Sequence, residues 1–310
     1  MDPAQKNDED MLKSWFRLID LPYLLSKPFD PLVGFFFLIG TLDFLGWQGV
    51  LHRLFAVCVA ALLLHIFNSA SKYLTLESAG NISRKTTLTV IILSGLLALL
   101  FASVSFYPLI ICAGILLLSI LCNFVLKFAD YVLINATLTA LSRILNIALG
   151  MTLLILNQTE DLMAGLLLFA VFFYVLGVEI VKITSLHAME KRPGGKLFLF
   201  GSVLAYLTLF GTVIMHKLDS IPMLVSGFMS AVAAALFLIL TYKAYKLFQS
   251  KTSVQQTHSW VDILTHNIIF LQIAAVSARG WYVPGLVLGL IAGLAVYIFV
   301  KGYGSSNHGK

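Results

Sequence analysis

Apolar segments of about twenty residues recur from one end of the chain to the other. A helix rises about 1.5 Å per residue and the hydrocarbon core of a bilayer is about 30 Å thick, so segments of this length can cross it. They show no alternation of polar and apolar residues, which excludes the strands of a membrane β-barrel. Only 12% of the residues are charged, against about a quarter in soluble domains. The sequence therefore predicts an all-α, polytopic transmembrane helical bundle.

The apolar segments predict nine to ten helices. Their approximate bounds are 24–46, 50–72, 86–106, 108–126, 131–156, 162–183, 195–216, 221–247, 259–278 and 282–301. The ninth is the least apolar, because it carries Asp262, His266, Asn267 and Gln272. It is interpreted either as a span or as a partly interfacial helix.

The basic residues predict the orientation of these helices. Cytoplasmic loops of membrane proteins are enriched in Lys and Arg. With the N-terminus inside, most of the 21 Lys and Arg residues fall on the cytoplasmic side, whereas Arg53, Lys217 and Arg279 fall outside. We expect one membrane domain over 1–310 in the bacterial inner (plasma) membrane. Its cytoplasmic parts are the N-terminal segment 1–22, the polar connections 68–85 and 182–196, and the tail 302–310.

A polar stripe follows the fifth predicted helix at spacings of three and four residues. Its members are Asn135, Thr139, Ser142, Arg143, Asn146 and Gly150. Residues at this spacing share one helix face, which lines either a polar cavity or a helix–helix contact. A charge at the bilayer centre costs about 2.5–3.5 kcal/mol on insertion scales. Arg143, which stays protonated, therefore requires an anion: an internal carboxylate, Glu179 or Asp130, or a bound anionic ligand.

Two further helices end in polar residues on the predicted cytoplasmic side. The second ends with His65, Asn68, Ser69 and Lys72, and the sixth carries Glu179 and Lys182 one turn apart. These are either solvated helix ends or two walls of a site that the fifth helix completes. Lys127, just before the fifth helix on the same side, favours an anion site.

Several classes of function are excluded by what the sequence lacks. It has no Gly-rich phosphate loop, no nucleophile elbow, no zinc-type His spacing and no Cys-x-x-Cys. A hydrolase or an ATPase is therefore not expected. The net charge of +6 follows the membrane topology, so it does not indicate nucleic-acid binding.

The order of these segments resembles the UbiA superfamily of intramembrane prenyltransferases, and within it an EboC-like subgroup. The resemblance covers almost the whole chain. Its segments are Arg17–Pro22 leading into Pro31–Gly34, His65–Asn68, Lys127, Leu141–Gly150, Tyr174 through Glu190 to Gly195, and Phe270–Ala275 with Gly280.

The resemblance implies binding of an isoprenyl diphosphate through Mg²⁺ held by two Asp-rich cytoplasmic motifs. Here the first motif, counted from Asn68, has Ser69, Lys72 and Leu76 where aspartates belong, and Glu77 one place late. The second retains only Glu190. Two Mg²⁺ ions need more carboxylates than this. Mg²⁺ therefore stays a candidate cofactor for Glu77 and Glu190 alone, and the loss of the Asp-rich motifs argues against catalysis.

Three functions remain open from the sequence. One is a prenyltransferase or related lipid-modifying enzyme. Another is a non-catalytic component that binds or moves an isoprenoid or similar lipid. The third is a structural membrane subunit. For either of the first two, the residues predicted to bind a diphosphate or similar anion are Asn68, Lys72, Lys127, Arg143, Asn146 and Arg192. The expected partners are the membrane and an isoprenyl diphosphate or lipid-like small molecule.

Overall fold

The structure, a computed structural model, describes most of the helical part of the chain. The described residues are 11, 14–16, 18–20, 24, 27–38, 47–75, 82–125, 132–153, 162–186, 192–215, 221–249, 254–281, 283–287 and 290–291.

Nine α-helices are described from end to end, helical residues also occur at 11, 14–16, 18–19 and 24, and no strand occurs in the described part. The nine helices are α1 (Phe29–Leu38), α2 (Trp47–Thr75), α3 (Arg84–Ala102), α4 (Phe106–Ile120), α5 (Val132–Met151), α6 (Leu162–Leu186), α7 (Arg192–Met215), α8 (Ile221–Gln249) and α9 (Val254–Ala278). A π-helical turn, Leu121–Val125, continues α4. The all-α prediction is confirmed. The tenth predicted helix lies mostly outside the described residues, although 283–287 and 290–291 are helical.

Seven of these helices, α2 to α8, are long and apolar enough to cross a membrane. In the described residues α1 and the apolar part of α9 are shorter. The outer surface carries large apolar side chains, among them Leu96 on α3, Leu207 on α7 and Phe228 on α8, which are 62%, 58% and 70% exposed. An apolar exterior of this size is stable in lipid rather than in water. The chain is an integral membrane protein.

Several predicted boundaries move. The first helix begins at Phe29 rather than near residue 24, because Lys27 and Pro28 form a turn that the Asp30 amide closes by donating to the Lys27 carbonyl. In contrast, α2 continues to Thr75 and α6 to Leu186. The polar connections predicted at 68–85 and 182–196 are therefore shorter, and the polar residues at their starts belong to helices.

The C-terminal part of the ninth helix packs inside the bundle, and whether its N-terminal part is interfacial stays a prediction. On α9 Leu264 and Ala274 are fully buried. The Asn267 amide donates to the Phe237 carbonyl at 3.0 Å and to the Thr241 hydroxyl at 3.1 Å, both on α8. The Asn267 amide nitrogen is thus satisfied inside the bundle, and this part of α9 belongs to the core.

The two largest hydrophobic clusters fill most of the bundle, and α5 contributes to both. One cluster joins α2, α3 and α4, and the other joins α6 to α9 with α1. The α5 residue Leu149 packs in the first cluster, whereas Ile147 and Met151 pack in the second. Because α5 connects the two clusters, a cavity beside it lies at the seam of the molecule.

Glycines set two close helix crossings. A Cβ on Gly150 of α5 would collide with the carbonyl of Pro31 on α1, and a Cβ on Gly177 of α6 would collide with the amide of Phe198 on α7. Small residues let membrane helices approach this closely. The first crossing holds α1, with Asp30 in its first turn, directly against α5.

Candidate functional site

A cavity of about 170 Å³ opens at the seam between the two clusters. Its walls come from the C-terminal ends of α2, α4 and α6, from the middle of α5 and of α9, and from the segment before α1. In an antiparallel bundle these ends lie on one side. They carry the polar residues that the sequence placed on the cytoplasmic face.

The lining combines charged groups with apolar ones. The cationic side chains are Lys27, Lys72, Arg143 and Lys182, the carboxylates are Asp20 and Glu179, and the apolar residues include Leu118, Leu138, Val175, Val178 and Ile268. Uncharged polar groups come from Asn68, Ser69, Ser119, Thr139, Ser142, Asn146 and Thr265, with His65 beside them. A cavity of this kind suits a ligand with an anionic head and an apolar body.

Arg143 takes its carboxylate from α1. Its Nε lies 2.8 Å from Oδ2 of Asp30, whose side chain is fully buried. The other oxygen, Oδ1, accepts a hydrogen bond of 2.7 Å from the Gln272 amide of α9. Three helices thus meet at one carboxylate. The pairing of Arg143 with Glu179 that the sequence suggested is wrong, and the other suggested partner, Asp130, lies outside the described residues.

The ion pair uses only part of the donor capacity of Arg143. Its Nη2 is buried and has no hydrogen-bond partner among the residues that the structure describes. One turn along α5, the Asn146 amide donates to the Ser142 carbonyl at 2.9 Å, while its buried oxygen makes no bond within the same described set. Both residues line the cavity. An unsatisfied buried guanidinium nitrogen is costly, and a bound anion would satisfy it.

The segment before α1 closes one side of the cavity. Nε2 of His65 on α2 lies 3.4 Å from the Asp20 carbonyl and 3.7 Å from its carboxylate. Asp20 adopts a positive φ of 48°, which aspartate tolerates. Burial raises the pKa of Asp20, against the opposing effect of Lys27. Burial, followed by the nearby Arg143 charge, lowers the pKa of Lys27 to about 8.

The opposite side is formed by α2, α4 and α6. The Asn123 amide of the π-helical turn donates to Oδ1 of Asn68 at 3.0 Å, which fixes the Asn68 amide plane. One turn further along α2, Lys72 interacts electrostatically with Glu179 and Lys182 of α6. Three helix ends that the sequence left as separate possibilities therefore converge on one cavity.

The structure brings together four of the predicted anion-binding residues: Asn68, Lys72, Arg143 and Asn146 all line the cavity. Lys127, Glu77 and Glu190 lie outside the described residues, and so does the side chain of Arg192 at the start of α7. Whether the four bind a ligand stays a prediction. The polar stripe on α5 both lines a cavity and makes a helix–helix contact, the two roles predicted for it. Four of its members, Thr139, Ser142, Arg143 and Asn146, line the cavity, while Gly150 packs against α1.

The described lining residues do not fit a magnesium cluster. Mg²⁺ requires octahedral oxygen ligation, commonly from carboxylates and phosphates. Within the described ranges no group of three or more His, Cys, Asp or Glu side chains could hold a metal ion. Of the first-motif positions that are described, Ser69 and Lys72 supply a hydroxyl and an ammonium, and an ammonium cannot ligate a metal.

Reasoning from the sequence did not identify four residues of the site. They are Asp20, Lys27, Asp30 and Gln272, whose amide donates to the Asp30 carboxylate. Asp30 carried a usable signal, because a carboxylate at the start of an apolar span needs a partner. The first helix was predicted to begin near residue 24, so Asp30 lay inside that helix and was given no role. Nothing in the spacing of α9 indicated that Gln272 faces α1.

Comparison with known proteins identifies the fold. No family model matches the chain, and no curated protein matches its sequence. A solved structure of digeranylgeranylglyceryl phosphate synthase, studied in membranes, is similar with a TM-score of 0.57. The similarity covers 87% of this chain and 98% of the synthase chain at 14% identity. The bundle therefore shares the UbiA-like fold of that synthase.

Proposed function

We propose that this protein binds an isoprenyl diphosphate or a similar anionic lipid in the cavity beside α5. The observation that carries the proposal is the cavity lining, in which Lys27, Lys72, Arg143 and Lys182 from four separate elements face one space. The UbiA-like fold supports it, since the similar solved structure belongs to an enzyme that is named for a lipid product. The fold alone does not assign an activity.

The two parts of the lining suit the two parts of such a ligand. Lys and Arg stabilise a phosphate by charge-assisted hydrogen bonds, and the planar guanidinium of Arg143 can offer two parallel donors. Leu118, Leu138 and Val178 offer an apolar wall to a hydrocarbon chain. Each methylene removed from water contributes about 0.8 kcal/mol. Head and tail together therefore explain why a charged cavity lies among apolar helices.

A thermal stability series in detergent tests the proposal. The melting temperature is measured with geranyl, farnesyl and geranylgeranyl diphosphate, with the matching alcohols, and with inorganic pyrophosphate. Ligand at a hundredfold excess over Kd stabilises the folded state by about 2.7 kcal/mol, a shift of several degrees. We expect the diphosphates to stabilise more than either the alcohols or pyrophosphate.

A pair of lysine variants serves as the matched control. Lys72→Gln removes a cavity cation, whereas Lys85→Gln removes an exposed cation from the first turn of α3. The shift should fall in Lys72→Gln and persist in Lys85→Gln. Equal shifts with alcohols and diphosphates, or no shift with any ligand, would contradict the proposal and favour a structural subunit.

The lining supports non-catalytic binding or transport of the isoprenyl diphosphate. Transfer of its prenyl group to an acceptor is the second candidate function. In transfer, the bond between the prenyl carbon and the diphosphate oxygen breaks and the diphosphate leaves with the electron pair. A nucleophilic atom of the acceptor lipid then forms the new bond to that carbon and loses its proton. The UbiA-like fold favours transfer, while the scarcity of carboxylates in the described lining disfavours the metal-assisted departure. Incubation with labelled diphosphate and membrane lipids separates them: we expect intact ligand, and released pyrophosphate with a prenylated lipid would establish transfer.

A further inference from the structure

The charged groups of the cavity come from four of the elements that line it. Lys27 precedes α1, Lys72 lies on α2, Arg143 on α5 and Lys182 on α6, with Asp20 beside Lys27 and Glu179 beside Lys182. The four cations outnumber the two carboxylates of the lining. Asp30 does not line the cavity and is engaged by Arg143 and Gln272. The cavity is therefore a cationic site in which carboxylates are the minority.

A divalent cation is poorly accommodated by such a lining. Like charges about 4 Å apart repel by about 4 kcal/mol at an effective dielectric constant of 20, and Mg²⁺ carries two charges. Asp20 and Glu179 stand on different walls, and the described residues assemble no group of three metal-binding side chains. Lys72 occupies the part of α2 where the resemblance placed a metal-binding carboxylate. Its ammonium replaces a group that would attract Mg²⁺ with one that repels it.

A phosphorylated head group fits the same lining without a metal. One phosphate group carries about −1.5 to −2 charges at neutral pH. Even when Asp30, the partner of Arg143, is counted with Asp20 and Glu179, the four cations of the site outnumber its carboxylates, so the site favours an anion. Arg143 is a residue of this wall, and its buried Nη2 has no hydrogen-bond partner within the described part of the chain. Lysine ammonium groups act on phosphates as point charges, as Mg²⁺ does, although they do not bridge two oxygens in fixed geometry.

We propose that the cavity takes its phosphorylated isoprenoid free of divalent metal, with Lys72, Arg143 and the neighbouring lysines supplying the positive charge that Mg²⁺ would otherwise bring. The inference rests on the proposed function, because it specifies the ionic form of the same ligand. It also makes Mg²⁺ a competitor: the ion chelates the diphosphate in solution and lowers the anionic charge that the cavity recognises.

Equilibrium titration with geranylgeranyl diphosphate tests the inference on the full chain in detergent. Kd is measured once in EDTA and once in millimolar Mg²⁺, at equal ionic strength. We expect Kd in EDTA to be equal to or lower than Kd in Mg²⁺. Binding that becomes about tenfold tighter or more in Mg²⁺, about 1.4 kcal/mol, would overturn the inference while leaving the proposed function intact. Absence of binding under both conditions would overturn both.

A charge-reversed variant gives the second measurement. Lys72→Asp should weaken binding in EDTA by about tenfold or more, because a charged hydrogen bond is replaced by repulsion, and Lys85→Asp should leave it unchanged. Unaltered metal-free binding in Lys72→Asp would count against the inference. If Lys72→Asp does not fold, Lys27→Gln, which removes a charge from the segment before α1, is measured in its place with the same expected direction.

Discussion

Arg143 and Asp30 illustrate how a buried charge is balanced in this bundle. The carboxylate is fully buried and contacts both the Arg143 Nε and the Gln272 amide. Removing one member of a buried pair leaves the other charge uncompensated. The guanidinium nevertheless keeps a nitrogen without a partner in the described residues. The pair therefore holds Arg143 in place without neutralising its capacity to bind a further anion.

Asp30→Asn tests this view of the pair. The variant keeps an oxygen that can accept from Gln272 but removes the charge opposite Arg143, so the melting temperature of the free protein should fall by an amount equivalent to about 3–5 kcal/mol. The ligand should then stabilise the variant more than the wild type, because its phosphate replaces the lost carboxylate. Differential scanning fluorimetry with and without geranylgeranyl diphosphate measures both effects.

The double variant Asp30→Asn/Arg143→Met is the control. It removes both charges, so it should recover part of the stability and lose the added ligand response. If Asp30→Asn binds ligand no better and melts like the wild type, the pair is neither structural nor poised for the ligand.

Lys27 predicts a pH dependence of binding. Its pKa of about 8, lowered by burial and then by Arg143, means that the ammonium is charged below that pH and neutral above it. The phosphate group is fully ionised throughout this range, since its second pKa is about 6. Affinity should therefore fall as the pH rises from 7 to 9. Lys27→Arg should flatten the profile, because a guanidinium stays charged. Parallel pH profiles for the wild type and Lys27→Arg would show that the charge of Lys27 does not contribute to binding.

At the scale of helices, the crossing of α6 and α7 depends on glycine. A Cβ on Gly177 meets backbone atoms of Phe198 and Gly194, whereas a Cβ on Gly165 of the same helix meets nothing within 4 Å. Because backbone cannot move as a flexible side chain can, the two glycines of α6 differ sharply in what they tolerate. This crossing supports the wall that carries Glu179 and Lys182.

The substitutions Gly177→Ala and Gly165→Ala measure that difference. Overpacking against backbone should cost Gly177→Ala about 1–3 kcal/mol and lower its melting temperature. Gly165→Ala should be neutral or slightly stabilising, since alanine favours a helix by up to about 1 kcal/mol over glycine. Equal melting temperatures for the two variants would show that α6 and α7 do not approach as closely as described.

The helices were largely predictable from sequence, and their partners were not. Nine described helices match nine predicted ones because long apolar segments directly reflect bilayer thickness. Spacing on α5 also placed Arg143 and Asn146 on one face. It could not show that this face meets Asp30, because helix periodicity fixes directions about one axis and carries no information about which helix lies opposite. The burial of Asn267 and Gln272 on α9 escaped prediction for the same reason.

At the scale of the whole molecule, two packed clusters share α5 and leave a charged cavity at their seam. The outer faces of the helices are apolar. The charged lining of the cavity contrasts with them, and a bound anionic ligand explains why charged residues are kept there. Cytoplasmic orientation of the cavity stays a prediction from the distribution of Lys and Arg. The proposed function requires only that an anionic isoprenoid occupies this cavity.

Photo-crosslinking tests that claim most directly. An isoprenyl diphosphate with a diazirine on its chain is irradiated with the purified protein, and labelled peptides are mapped by mass spectrometry. We expect labels on the apolar lining, at Leu118, Leu138 or Val178. Excess unlabelled diphosphate should remove these labels, and Lys72→Gln should reduce them. Labels confined to the outer surface, at residues such as Leu96 or Phe228, and unaffected by competitor would contradict the claim.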